Sequence, residues 1–188
     1  MNYETLLRQR RSIREFEDRD VPLDVVMDII RDTCLAPSAM NGQPWRFVVV
    51  NNRRWIKRLS DESKKNHLRD LEKNPSSLLK RYEDRFRDET FNVFYNAPCL
   101  VCIVGSRDVT SLAVDCALAA CYFMFAAAAR SLGTCWVGLG SNISDRQTLN
   151  TIGIPEDCRI IAPVILGYPV SIPDPRDREA PKILKILQ

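Results

Sequence analysis

The sequence predicts one domain that combines α-helices with a buried β-sheet. The chain has 188 residues, and 45% of them are hydrophobic, which is enough for a sizeable core in one domain. Three near-continuous apolar runs, at 46–50, 97–104 and 159–166, are typical of strands, and the middle run is apolar enough to be buried on both faces. Helical patterns lie between these runs, and no linker or internal repeat divides the chain.

Two helices are predicted before the first strand. Residues 2–9 carry apolar side chains at helical spacing. Pro22 opens the second helix, because proline is tolerated at the first helical position. We expect this helix to end before Pro37 and to have a buried stripe made of Leu23, Val26, Met27 and Ile30.

Residues 52–95 are dense in charge, with intermittent apolar anchors. Between Arg53 and Glu89 there are twelve Lys or Arg residues and eight Asp or Glu residues. We expect two helices joined at 74–76. The favoured interpretation is a solvated helical face, and the alternative is a mobile lid over a substrate pocket. The only histidine, His67, lies here without a second histidine or a nearby cysteine, so a metal site is not expected.

The longest predicted helix covers 112–132, with Gly133 as its C-cap. Between Asp115 and Arg130 it is apolar on all sides, so it should be buried on all sides. Packing against a second subunit is the favoured explanation, and a purely intramolecular core is the alternative. Its uncharged run, 116–129, is shorter than the roughly 20 residues of a membrane span.

The seven cysteines favour a reduced, cytoplasmic protein, because most lie within apolar runs. No signal peptide opens the sequence, which favours the same location. Cys99 and Cys102 form a CxxC pattern, but residues three apart on a strand point to opposite faces. No second CxxC pair is present to complete a zinc site, so we expect no metal.

An arginine-rich stretch near the N-terminus is the first candidate binding site. Arg10, Arg11, Ser12 and Arg14 place three guanidinium groups and a hydroxyl within five residues. Arginine pairs bidentately with phosphate oxygens, although a solvated charged turn is the commoner explanation for such a stretch alone. The proline-rich tail adds Arg176 and Arg178 at alternate positions, which point the same way in an extended chain.

Two further segments have the composition of ligand-binding loops. Residues 36–45 contain two prolines, a glycine and small polar side chains, so this loop can lie against a flat ligand or simply connect a helix to a strand. Residues 134–142 form a short apolar strand that breaks into glycines, which lets backbone N–H groups approach a ligand. The third glycine of a GxGxxG motif is missing, so a dinucleotide-binding fold is not supported.

Taken in order, these motifs resemble the nitroreductase family of FMN-dependent oxidoreductases. The matching stretches span essentially the whole chain and are RRSIREF, PSAMNGQPWRF, FYNAPCLVCIVG, LGTCWVG, and LGYP followed by PRDR. The resemblance implies an α+β fold of the nitroreductase-like three-layer sandwich type, with a central, mostly antiparallel sheet flanked by helices. It implies one FMN-binding domain over 1–188, with a variable helical lid at 60–95 and a C-terminal extension at 170–188. It also implies a homodimer with FMN at the interface.

The resemblance also implies the residues that bind FMN. The phosphate and ribityl chain would be held by Arg10, Arg11, Ser12, Arg176 and Arg178, and Arg14 would reach the pyrimidine end of the flavin. From the neighbouring subunit, the isoalloxazine would be lined by Pro37, Ser38, Ala39, Asn41 and Gln43. One face of the ring would be crossed by Cys135, Trp136, Val137 and Gly138, and a backbone N–H near Val137 or Gly138 would donate to flavin N5.

The activity implied is that of an NAD(P)H-dependent flavin oxidoreductase. Hydride would pass from NADH or NADPH through flavin N5 to a small acceptor such as a nitroaromatic or a quinone, by ping-pong kinetics in one pocket. No catalytic side chain is required, and the sequence has no GxSxG motif or histidine-based triad. The alternatives are dehalogenation or dehydrogenation on the same flavin fold and, much less favoured, a non-enzymatic basic module that binds nucleic acid or an acidic partner through 53–87. The acidic residues interleaved within 53–87 argue against a basic binding module. Neither nucleic acid nor a membrane is an expected partner.

Overall fold

The structure, a computed structural model, describes residues 2–188. Its helices are α1 (Tyr3–Gln9), α2 (Leu23–Thr33), α3 (Arg53–Lys73), α4 (Glu83–Arg87), α5 (Leu112–Ala129) and α6 (Arg146–Thr151). Its strands are β1 (Arg46–Val50), β2 (Cys99–Ser106), β3 (Gly133–Trp136) and β4 (Cys158–Gly167). Short 3-10 turns lie at Ala39–Asn41, Leu78–Tyr82 and Gly138–Ser141.

The four strands form one antiparallel sheet in the order β1-β2-β4-β3. Helices α2 and α5 pack on one face of this sheet, and α3 and α6 pack on the other, which confirms the three-layer α+β architecture. Strand β2 is buried on both faces, as its apolar run predicts. Cys99 belongs to the core layer under α5, and Cys102 belongs to the layer under α3, so the CxxC thiols do point to opposite faces.

Helix α2 presents a different face to the core from the one we expected. Val26, Ile29 and Ile30 are buried, whereas Leu23 and Met27 are 58% and 41% exposed. Pro22 is the N-cap rather than the first helical residue. The predicted stripe was therefore wrong at Leu23 and Met27, because tertiary contacts with α5 select the 26, 29, 30 and 33 face of a helix whose apolar residues surround much of its axis.

Helix α5 ends earlier than predicted, and Gly133 is not its C-cap. The helix stops at Ala129, Ser131 takes the left-handed conformation with φ of 60°, and Gly133 begins β3. A Cβ at Gly133 would lie 2.8 Å from side-chain atoms of Ile13. This glycine is therefore explained by the close approach of the arginine-rich stretch to the sheet and not by a helix cap.

Within one chain, α5 is buried on one side only. Its inner face includes Cys116, Ala119 and Phe123, while Val114 and Tyr122 on the opposite face are exposed. Across residues 2–188, α5 is the one helix that by length and composition could cross a membrane. Its inner face packs against the sheet and α2, so the remaining apolar surface is a single outer face.

The charged region forms one long helix followed by short turns. Helix α3 continues for 21 residues and breaks at Asn74, as predicted, but the second helix is reduced to a 3-10 turn and α4. The buried Lys64 ties the end of this region to α3, since its Nζ donates to the carbonyl oxygens of Asp88 at 2.9 Å and Phe91 at 2.8 Å.

Candidate active site

The arginine-rich stretch is attached to the edge of the sheet. The Ile13 N–H donates to the Thr134 carbonyl at 2.9 Å, Ser12 bridges Thr134, and Phe16 bridges Pro169. Ile13 is buried, whereas Arg10 and Arg14 remain at the surface. Because the stretch is anchored by its apolar residue and its backbone, its guanidinium groups are free to face a ligand.

A cleft of about 1050 Å³ lies over this stretch, and both ends of the chain form its walls. Segments 7–15 and 171–178 provide most of the lining, and the region around α4 provides the rest. Its arginines are Arg8, Arg10, Arg11, Arg14, Arg85, Arg176 and Arg178, whereas its carboxylates are only Glu15 and Asp174. The predicted convergence of the N-terminal and C-terminal arginines is thus present within one chain.

Most of these arginines have no acidic partner. Within residues 2–188, no carboxylate oxygen lies within 4.0 Å of a guanidinium nitrogen of Arg10, Arg11, Arg14, Arg176 or Arg178. The Arg11 Nη1 donates to the Arg10 carbonyl at 2.8 Å, but its buried Nε has no hydrogen-bond partner in the described chain. A buried guanidinium N–H without a partner costs free energy that an anion would recover, so this donor set fits a phosphate group.

Cys135 lies behind the cleft and contributes no charge to it. The residue is 3% exposed, and burial raises the pKa of its thiol above the ordinary value. The positive charges of Arg14 and Arg10 and a hydrogen bond from Ser12 oppose this rise in pKa but do not overcome it. A neutral thiol leaves the arginine charges uncompensated at neutral pH.

The segment after β3 offers one backbone donor rather than two. The Val137 N–H already donates to the Pro163 carbonyl at 2.9 Å, and the Val137 side chain is buried. The Gly138 N–H donates to no backbone carbonyl of residues 2–188, and a Cβ at Gly138 would meet no atom within 4 Å. Trp136 is partly exposed beside it. Gly138 is therefore the residue here that a flat ligand can approach.

The loop before β1 lies away from the arginine cleft. Its Ala39 N–H donates to the buried Asp115 Oδ1 at 3.0 Å, at the start of α5. The loop leads into Arg46, which lies level with Val104 at one end of β2. Cys135 lies level with Ile165 of β4, and Ile165 is beside the other end of β2. The predicted site residues that do not line the cleft of their own chain are Pro37, Ser38, Ala39, Asn41 and Gln43 of this loop, and Cys135, Trp136, Val137 and Gly138 of β3 and the turn after it.

With this geometry in place, comparison with known proteins identifies the family. A profile of the nitroreductase family matches residues 7–168. The chain belongs to the nitroreductase family. The match includes the arginine-rich stretch, the loop before β1 and all four strands. It confirms the membership predicted from the motifs, and with it the predicted enzyme class, an oxidoreductase.

Similar proteins of this family cover nearly the whole chain. A nitroreductase with bound FMN from Bacteroides fragilis has a crystal structure that is 25% identical, with a TM-score of 0.85, and the match covers 99% of this chain and 100% of that one. A protein of Archaeoglobus fulgidus provisionally named NADH dehydrogenase/NAD(P)H nitroreductase is 26% identical over 165 residues, or 87% of this chain and 83% of the relative. An iodotyrosine deiodinase of Thermotoga neapolitana is 25% identical over 169 residues, which are 87% of each chain.

Sequence reasoning missed several residues that line the cleft of this nitroreductase-family protein, among them Arg8, Tyr82, Arg85 and Tyr95. Tyr82 and Arg85 belong to the charge-dense region, for which a solvated face was favoured. Their i, i+3 spacing would have placed them on one side of a short helix, but nothing in the sequence indicates which side of that helix meets the cleft.

The single histidine of this family member has a structural role. The His67 Nε2 lies 2.9 Å from the Leu139 carbonyl oxygen, and its ring stacks on Phe86 with centroids 4.9 Å apart. Among residues 2–188, no group of three or more His, Cys, Asp or Glu side chains has the arrangement of a metal site. His67 thus joins α3 to α4 and to the turn that follows β3.

Proposed function

We propose that this protein is an FMN-dependent oxidoreductase that uses NADH or NADPH to reduce a small acceptor such as a nitroaromatic or a quinone. The observation that carries the proposal is the cleft in which unpaired arginines from both ends of the chain converge, with the partnerless Nε of Arg11 buried in its wall. The FMN bound by the relative from Bacteroides fragilis supports the choice of anion.

The phosphate and ribityl chain of FMN would be held by the cleft itself. Guanidinium forks and a hydroxyl suit a phosphate dianion, and the residues assigned to it are Arg10, Arg11, Ser12, Arg176 and Arg178. Arg14 lies 5.6 Å from the Tyr95 ring centroid and donates to the Ser12 carbonyl at 3.5 Å, so its charge is held between the phosphate site and the sheet edge. There it would favour negative charge on the pyrimidine end of the flavin.

The flavin ring would lie against the segment that follows β3. Gly138 has both a free N–H and open space, so we assign it, rather than Val137, as the donor to the flavin edge. Trp136 would form the exposed apolar surface beside the ring, with the buried side chains of Cys135 and Val137 behind it, and the raised pKa of Cys135 keeps that layer neutral.

The opposite side of the ring would be covered by a second subunit. The outer face of α5 exposes Val114, Leu118 and Tyr122, and the adjacent α1 exposes Tyr3 and Leu7, so apolar side chains of two neighbouring helices face water. A homodimer would bury this surface and bring in the partner loop that contains Pro37, Ser38, Ala39, Asn41 and Gln43. In this proposal 1–188 is one FMN-binding domain of a cytoplasmic protein, with 60–95 as the lid and 170–188 as an extension.

When bound, FMN would supply the redox chemistry by taking hydride from the reductant and giving it to the acceptor. The side chains of this protein bind and orient and do not react. The cleft arginines would neutralise the phosphate, Gly138 would donate to the flavin, and the buried core beneath β3 would exclude water. Use of one pocket in turn by reductant and acceptor would give ping-pong kinetics.

The visible absorption spectrum of the purified protein tests this proposal. An oxidised flavin spectrum that bleaches when NADH or NADPH is added under argon, and returns when a quinone is added, is the expected result. A protein that remains colourless after incubation with FMN would contradict the proposal, and the arginines would then serve another anion.

Dehalogenation on the same flavin is a second candidate. The observation that favours it is the similarity to the iodotyrosine deiodinase of Thermotoga neapolitana along 87% of the chain. Iodide release from 3-iodo-L-tyrosine by the reduced protein would establish this reaction. Reduction of nitroaromatics and quinones without iodide release would leave the first candidate.

A further inference from the structure

The arginine cleft contains more positive charge than one FMN phosphate requires. Seven arginines face two carboxylates, and the proposed phosphate site uses four of these arginines. Arg8 pairs with Glu4 at 2.9 Å, and Arg14 is assigned to the flavin itself. Arg85 remains, on the wall that the charge-dense region contributes. A cation left over in a cleft attracts a second anion.

The neighbour of the Arg85 guanidinium is an aromatic ring and not a carboxylate. The guanidinium carbon lies 5.9 Å from the Phe91 ring centroid, and the Phe91 ring meets the Tyr95 ring edge-on at 6.3 Å. Arg14 lies over the same Tyr95, so a continuous wall joins Arg85 to the flavin-binding arginines. The Phe91 carbonyl is fixed by the buried Lys64 at 2.8 Å, which secures this wall to α3.

Two neighbouring cations, Arg87 on the same short helix and Lys80 in the turn before it, are paired with a carboxylate. Arg87 pairs with Glu83 at 2.7 Å, and Lys80 pairs with the same carboxylate. Neither of them lines the arginine cleft. For Arg85, no carboxylate of residues 2–188 lies within 4.0 Å, and Tyr82, one turn earlier, places a phenol in the same cleft.

The geometry points to Arg85, assisted by Tyr82, as the site that binds a phosphate group of the reduced nicotinamide dinucleotide. This inference rests on the proposed function. NADH and NADPH share a diphosphate, and NADPH has a further 2′-phosphate, whereas quinone and nitroaromatic acceptors have no phosphate. Arg85 therefore acts on the reductive half of the cycle only, and it determines which reductant is preferred if the 2′-phosphate is the group it binds.

The test compares Arg85→Gln with Arg87→Gln, which removes the same charge from the same helix outside the cleft. Steady-state kcat/KM is measured for NADPH, NADH and N-benzyl-1,4-dihydronicotinamide, a reductant without phosphate, and for a quinone acceptor. Arg85→Gln should lower kcat/KM for phosphate-bearing reductants by about tenfold, the effect of one charge-assisted hydrogen bond. The benzyl compound and the quinone should be unaffected, and Arg87→Gln should behave as wild type.

The reductants for which Arg85→Gln loses kcat/KM show which phosphate the arginine binds. The outcomes also distinguish a wrong role for Arg85 from a wrong proposed function. A loss for NADPH alone assigns the 2′-phosphate, and an equal loss for both dinucleotides assigns the diphosphate. An equal loss with the benzyl compound or the quinone, loss of bound flavin in Arg85→Gln, or no loss with either dinucleotide overturns the assignment of Arg85. A wild-type protein without reducible flavin would instead overturn the proposed function itself.

Discussion

The arginine cleft and the charged face of α3 and α4 contain similar cationic side chains in opposite electrostatic situations. On α3, Lys57 pairs with Asp61 at 2.6 Å, and Lys64 approaches the same carboxylate at 3.4 Å. A cleft of about 750 Å³ on this face is lined by five cations and three carboxylates. The arginine cleft has seven cations and two carboxylates, and most of its arginines have no ion pair within the described chain.

The difference arises from the backbone conformation of each region. A helix places residues three and four apart side by side, so interleaved acids and bases neutralise one another locally. Residues 10–16 and 170–178 are not helical, and their arginines have no such neighbours. The lesson is that the number of charges in a segment says little about ligand binding, whereas their compensation in three dimensions says a great deal.

The largest expected effect concerns FMN binding in the arginine cleft. Arg10→Ala and Arg178→Ala should each raise the FMN dissociation constant by about 10- to 100-fold, because each removes a charge-assisted contact with the phosphate. Fluorescence titration of FMN into the apo-protein measures this, with circular dichroism as a check on folding. Arg87→Ala is the control, since its charge is already compensated by Glu83. Wild-type affinity in both cleft variants would refute the phosphate assignment.

A second prediction concerns how the arginine stretch is held. Gly133→Ala places a Cβ 2.8 Å from Ile13, so it should lower the free energy of unfolding by about 1–3 kcal/mol and weaken FMN binding by displacing the stretch. Gly138→Ala meets no neighbour in the described chain and should leave stability unchanged. Urea denaturation of both variants provides the measurement. Equal stability of the two variants would contradict this prediction, since it would mean that Ile13 can move to accommodate the added Cβ at position 133.

On the charged face, the removal of either of two lysines that approach the same carboxylate should destabilise the protein to a different extent. Lys64→Ala leaves the Asp88 and Phe91 carbonyls without their donor and should destabilise by about 1–3 kcal/mol. Lys57→Ala removes an exposed pair and should change stability by less than about 1 kcal/mol. The urea midpoints of the two variants measure this difference. Equal destabilisation by Lys57→Ala and Lys64→Ala would mean that the exposed Lys57–Asp61 pair contributes more than its exposure implies.

The smallest effect tests a thiol whose pKa is raised mainly by burial. Burial, with Cys99 nearby, raises the pKa of the Cys102 thiol from 9.0 to about 12. Because the folded state binds this proton more tightly, the stabilisation is complete below pH 9 and is lost as the pH rises through about 12. By pH 10 the loss from one such thiol is about 1.4 kcal/mol.

The Cys102→Ala variant isolates this contribution of the thiol. It should show a smaller fall in unfolding free energy between pH 8 and pH 10 than the wild type, whatever its stability at pH 8. Parallel slopes for the two proteins would mean that the Cys102 thiol does not titrate differently in the folded and unfolded states.

Much of the fold could be predicted because it depends on local patterns. Strands β1, β2 and β4 are apolar runs, which are stable only when they are buried. The end of α3 at Asn74 is predicted by the residues at that position. The errors concern contacts between distant segments. Gly133 looked like a helix cap because only its own helix was visible, and the buried stripe of α2 was misassigned because α5 selects the face.

The candidate site divides in the same way. The arginines at 10, 11, 14, 176 and 178 could be proposed as ligand-binding residues from their place among the ordered family motifs, since a solvated charged turn is the commoner explanation when such a stretch is taken alone. Arg85 and Tyr82 could not, because their relevance depends on where α4 packs. The choice of Gly138 over Val137 as backbone donor likewise depends on one hydrogen bond to Pro163.

The sequence by itself determined the family and the layered mixture of helices and strands, and it predicted an anion-binding role for the arginines, because each of these is expressed by residue types within short windows. The tertiary structure decided which charges are compensated, which glycine makes room for Ile13 and which residue of the charged region faces the cleft. These depend on the distances between segments far apart in the chain. Such distances are set by the packing of the whole core, and no local pattern expresses them.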